Sequence, residues 1–139
     1  MPRLSGWVLF VSLSIITCVA PGASSSGIAA EKGFPYEQEL LLDARPMKGS
    51  KRIPMMEVMR RGDTKIDLWC NSARAQFVIV EDTITIITGA KSTESCIPER
   101  TRADEELLGV LAGVTHWQRN GDALTLRGPK NVRFRASTH

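Results

Sequence analysis

Short stretches that alternate apolar and polar residues dominate the chain from residue 39 onward, and a period of two marks strands with one buried face. Glu39-Leu40-Leu41-Leu42-Asp43 is an apolar run bounded by charge, then by Pro46 and Gly49, and it predicts a first strand. Residues 55–59 predict a second, since Pro54 opposes a helix interior there. After a turn at Gly62-Asp63, Lys65-Ile66-Asp67-Leu68-Trp69-Cys70 puts Ile66, Leu68 and Cys70 on one face, which sends Cys70 inward. Gln76-Phe77-Val78-Ile79-Val80 and Thr83-Ile84-Thr85-Ile86-Ile87-Thr88 are rich in β-branched and aromatic residues. Only Glu81-Asp82 separates them, so they predict a hairpin, followed by a loop over residues 89–100.

One segment changes period. Thr101 is a candidate cap, Asp104-Glu105-Glu106 suit the positive end of a helix dipole, and Leu107, Leu108, Leu111 and Val114 recur as one stripe that Gly113 closes. Strands return over residues 115–118, Ala123–Arg127 and Val132–Ala136, with turns at Asn120-Gly121 and Gly128-Pro129-Lys130-Asn131. Seven or so short strands around one helix predict an α+β class: a single small domain, mostly antiparallel β-sheet with one main α-helix.

The N-terminal third has a different character. Arg3 precedes the apolar run of residues 7–20, and small residues follow as Pro21-Gly22-Ala23-Ser24-Ser25-Ser26-Gly27. This is the pattern of a secretory signal peptide over residues 1–29, the apolar run being too short for a membrane span of about 20 residues. Residues 30–38 then read as a flexible N-terminal segment, and 39–136 as the domain. Ile15-Ile16-Thr17-Cys18 also resembles a lipobox, which makes Cys18 a possible lipidation site. The expected location is periplasmic or secreted, or lipid-anchored in the envelope as the alternative, with the membrane a partner only if Cys18 is lipidated.

With Cys18 assigned to the signal, Cys70 and Cys96 remain, and two cysteines in an oxidising compartment read as one disulfide. Closing the loop between them is worth about 3.5 kcal/mol in the chain-entropy model. Metal binding is the other use of two thiols, and it requires further ligands where the chain has only His116 and His139. Redox or free thiols are the third, without a Cys-x-x-Cys spacing to favour them.

Composition bounds the rest. The 139 residues leave room for one domain, and 42% hydrophobic with 24% charged residues excludes disorder and a multi-span membrane protein. A net charge of +3 with interspersed acids does not point to nucleic acid. Neither a Gly-x-Ser-x-Gly elbow nor a phosphate loop occurs. The remaining candidates each have a plainer role. His116 is a possible general base or a surface strand histidine. Asp104, Glu105 and Glu106 are a possible carboxylate cluster or dipole partners. Trp69 and Trp117 are ligand-stacking rings or core. Met47, Met55, Met56 and Met59 are a soft metal box or packing. Lys48, Lys51, Arg52, Arg60 and Arg61 are a polyanion patch or solvated turns.

The order of landmarks resembles the META domain of HslJ-like bacterial envelope proteins. Those landmarks are a strand into Trp69-Cys70-Asn71, Ala75-Gln76-Phe77, a hairpin, Ser92-Thr93-Glu94-Ser95-Cys96-Ile97-Pro98, the acidic helix Glu105-Glu106-Leu107-Leu108-Gly109-Val110-Leu111, Trp117, Asn120-Gly121 and Leu124-Thr125-Leu126. Trp69 stands where the family pattern has Gly, and Ala75 and Phe77 replace its Gly and Tyr. The resemblance implies an extracytoplasmic domain linked to envelope stress, with no enzymatic activity, no catalytic residue and no cofactor to carry over. It transfers the Cys70–Cys96 pair as a disulfide. The expected function is therefore a non-enzymatic exported envelope protein that binds or stabilises an unknown protein or envelope partner as a monomer, in a stress-related role. The alternative is a small secreted inhibitor of a cell-wall hydrolase.

Overall fold

The computed structural model describes residues 33–137. The expected signal peptide, its expected cleavage site and Cys18 lie outside the described residues. Eight strands appear in chain order: β1 (Glu39–Leu42), β2 (Met55–Val58), β3 (Asp63–Asp67), β4 (Ser72–Val80), β5 (Thr83–Lys91), then helix α1 (Pro98–Ala112), then β6 (His116–Asn120), β7 (Ala123–Arg127) and β8 (Val132–Ala136). Each strand pairs antiparallel with its sequence neighbour, and β1 pairs with β8 through Leu40 and Ala136, Leu41 and Arg135, and Leu42 and Phe134. The sheet is thus a closed barrel.

This corrects the expected α+β class: the domain is an all-antiparallel barrel with a single helix, not a sheet with a helix laid on it. Alternation along a strand tells which side chains face inward, but not that the first and last strands meet. Closure gives one enclosed interior, into which Leu40, Met56, Ile66, Leu124, Leu126 and Phe134 each project with at most 1% exposure. Burying that apolar surface drives the fold, at about 25 cal/mol per Å² removed from water.

Local boundaries shift for identifiable reasons. β3 ends at Asp67, and a tight turn closed by Leu68 N donating to Asn71 O (2.8 Å) carries Trp69 and Cys70 out of the strand, so Cys70 is half-buried and not inward-facing. β5 continues to Lys91 through an irregularity opposite Ala73 and Ala75, where Gly89 lies close against the backbone of Arg74. Helix α1 starts at Pro98, whose missing N–H costs nothing in a first turn, and its N-cap is Ile97. Thr101 does not cap: it lies inside the first turn, and its hydroxyl donates to Ile97 O (3.4 Å).

The two ends of the barrel are closed differently. At one end Phe34, 7% exposed, packs edge-on against Trp117 (centroids 5.3 Å apart) and near Tyr36 and Phe77. The packed domain therefore begins before Glu39, inside the stretch read as flexible. At the other end α1 sends Leu107 and Leu111 into the core. Strands β5 and β6 share one ladder pair, Thr83 with His116, and α1 packs beside the rest of β5. Gly62 joins β2 to β3 with φ +88°, and a Cβ there would meet Phe77 O at 2.0 Å. Only glycine fits. No helix among the described residues is long and apolar enough to cross a membrane.

Candidate functional site

The most organised polar cluster lies where α1 meets the β3–β4 turn. Asp104, in the second turn of the helix, is 0% exposed. Its Oδ1 accepts from Cys70 N (3.2 Å), and its Oδ2 accepts from Asn71 N (2.9 Å) and Asn71 Nδ2 (3.0 Å). Asn71, 3% exposed, accepts at Oδ1 from Glu94 N (2.7 Å) and Ser92 Oγ (3.3 Å). Arg52 reaches over the same turn and donates to Cys70 O (3.0 Å) and Asn71 O (3.2 Å). A disulfide joins Cys70 to Cys96, closing a separation of 26 residues. One buried carboxylate thus holds three donors from a turn that is also fastened covalently. Leaving such donors unpaired costs about 1–3 kcal/mol each.

This clamp replaces the dipole role read for Asp104. Glu105 and Glu106 are exposed and turn away from it, Glu105 to Lys91 (3.7 Å) and Glu106 to Lys130 (3.0 Å). The three acids form no cluster. Arg52 is part of the clamp, and Arg60 pairs with Glu37 (3.0 Å), so neither is a spare cation of a patch. Sequence reasoning missed Asn71 and Arg52 as clamp members. The adjacency Cys70-Asn71 was the available signal.

Beside the clamp a groove of about 450 Å³ opens between α1, the segment after β1 and the β7–β8 connection. Its walls are Leu42, Met47, Trp69, Leu107, Val110 and Val132, with Arg45, Glu106 and Lys130 at its margin. A second depression of about 320 Å³ continues along the helix, sharing Glu106, Val110 and Lys130 and adding Gly109, Gly113 and Pro129. The clamp fixes both walls: Trp69 precedes Cys70 on the turn, and Leu107 follows Asp104 by three residues on the helix. Trp69 therefore faces a groove, whereas Trp117 is packed on Phe34 and donates from Nε1 to Glu81 O (2.8 Å).

The remaining candidates are dispersed. His116 is exposed on β6 and its Nδ1 lies 2.9 Å from Thr115 Oγ1. It shares a shallow depression with Asp82, Trp117, Gln118 and Arg127, and no hydrogen bond or ion pair joins it to a carboxylate among the described residues. Met55 and Met56 point to opposite faces of β2, Met56 into the core, as a period of two requires. No group of three or more His, Cys, Asp or Glu that could hold a metal occurs among the described residues.

Comparison with known proteins gives a family and a fold. No curated protein matches the chain. A solved NMR structure superposes with a TM-score of 0.57 at 14% identity, over 71% of this chain and 88% of that one, a likeness of fold alone. The family model of the META domain matches residues 35–138, which takes in every strand, the helix, the disulfide and the clamp. The chain belongs to the META domain family.

Proposed function

We propose that this META domain protein works outside the cytoplasm as an exported, non-enzymatic envelope protein that binds a partner or ligand, in a stress-related role. The observation that carries the reading is the disulfide and its setting. Cys70 and Cys96 are joined at the point where the buried Asp104 and Asn71 hold the helix to the barrel. Disulfides persist in oxidising compartments and are rare where glutathione keeps thiols reduced. A non-catalytic role is supported by the use of the most elaborate polar cluster as a fastening, with every oxygen of Asp104 occupied from within the chain. A sheet closed on itself offers few strand edges for pairing, which supports a monomer.

Intact mass of the protein from an envelope fraction, with and without reductant and alkylation, tests the reading. A cleaved chain two hydrogens lighter than its reduced form is the expected result, and a diacylglycerol-type addition at Cys18 would make the exported form a lipoprotein. An uncleaved chain with two alkylatable thiols at Cys70 and Cys96 overturns it.

A further inference from the structure

The groove beside the clamp is lined by apolar side chains that the barrel leaves half-buried: Leu42, Met47, Trp69, Val110 and Val132. Its volume of about 450 Å³ lies within the range of about 300–1,000 Å³ typical of small-molecule sites. Gly109 leaves open space where a side chain would stand, and a Cβ at Gly113 would make only ordinary van der Waals contacts with Pro129, Val110 O and Gly109 O at 3.5–3.7 Å, so the depression runs on along the helix as a trough. The charges at its margin are not equivalent. Lys130 is neutralised by Glu106 at 3.0 Å. Arg45 is exposed at the mouth and makes no ion pair or hydrogen bond with any described residue.

An elongated apolar trough with an unpaired guanidinium at its entrance complements a molecule that is apolar along its length and anionic at one end. We propose that the groove binds a monomeric single-chain anionic amphiphile, its tail along Trp69, Leu107 and Val110 and its acid group on Arg45. A guanidinium suits this headgroup because its planar fork donates two parallel hydrogen bonds to a carboxylate or phosphate. The inference rests on the binding role proposed above and specifies its ligand.

Titration of the oxidised protein with dodecanoate below its micellar range, followed by tryptophan emission and by calorimetry, tests it. The expected result is saturable 1:1 binding with a blue shift from Trp69, abolished in Trp69→Phe for the emission signal but not for the heat. Arg45→Gln weakens dodecanoate about tenfold, the loss of a charge-assisted contact, and leaves dodecanol unchanged. Val110→Glu, on a half-exposed helix position, weakens both, with a far-UV spectrum and melting curve matching the parent. Equal affinity for dodecanoate and dodecyltrimethylammonium, insensitivity to Arg45→Gln, or binding only to phosphatidylglycerol vesicles or to an apolar peptide each overturns the proposal. Any of these in a protein that is exported and oxidised sinks the ligand and leaves the envelope role standing; reduced cytoplasmic thiols sink the envelope role.

Discussion

Replacing Asp104 by alanine separates two accounts of the same residue. A carboxylate near a helix start that merely complements the dipole is worth about 0.3–1 kcal/mol. In the barrel it is 0% exposed and accepts from Cys70 N, Asn71 N and Asn71 Nδ2 at 2.9–3.2 Å. Asp104→Ala leaves the two backbone donors fixed by the turn and unpartnered, at about 1–3 kcal/mol each. The amide of Asn71 keeps its contact with Cys96 Sγ (3.4 Å) and is orphaned less completely. The expected loss is about 3–4 kcal/mol, a fall in melting temperature of roughly 12–25 °C for a domain of this size. Asp104→Asn keeps one acceptor but turns an NH₂ toward a donor, for a loss of about 1–2 kcal/mol. Glu105→Ala, on the exposed side of the same turn, stays within about 0.5 kcal/mol. Urea unfolding of the oxidised protein, read by fluorescence and far-UV circular dichroism, measures all three. A loss below 1 kcal/mol for Asp104→Ala, or no difference from Glu105→Ala, refutes the clamp.

Three further changes probe other joints of the fold. Cys70→Ser with Cys96→Ser lowers stability by about 3.5 kcal/mol, from the entropy of a 26-residue closure, in the same unfolding assay; an unchanged midpoint contradicts this. Gly62→Ala must move the β4 backbone away from a Cβ that would meet Phe77 O at 2.0 Å while adopting φ +88°. It costs about 2–5 kcal/mol in thermal melts, combining overpacking with backbone strain. Phe34→Ala removes the aromatic plug and costs about 3–5 kcal/mol, whereas a loss under 1 kcal/mol would return residues 30–38 to the flexible segment first expected.

Much of the strand content was legible because each strand has one wet face. Met56 to Val58 and Leu124 to Arg127 alternate visibly, and Asn120-Gly121 marks the turn where Gly121 takes φ +63°. Closure was not legible, since the pairing of Leu40 with Ala136 joins residues almost a whole domain apart and leaves no local trace. The site divides the same way. The two cysteines could be paired by counting, and Trp69 could be singled out as an aromatic of two possible roles. Asp104 could not be read correctly, because with Thr101 taken as the cap it falls in a first turn, where an acid has a sufficient local explanation, whereas the helix begins at Pro98. Its actual partners, Cys70 and Asn71, are 34 and 33 residues away. Phe34 lacked any periodic context, and its burial depends on Trp117 from the far side of the chain.

Pairing of β1 with β8 also decides where the domain can be attached. Ser137 N donates to Glu39 O at 2.8 Å, so the chain enters and leaves the barrel side by side. Leu42, at the opposite end of β1 and about 10 Å away at the rise of a strand, lines the groove. A short linker across the natural ends, with new ends cut at the exposed Glu81-Asp82 turn, should give a circular permutant that keeps the same ladder. By the same geometry, the barrel could be hung from a surface by either end, or strung in tandem, with its groove still facing outward.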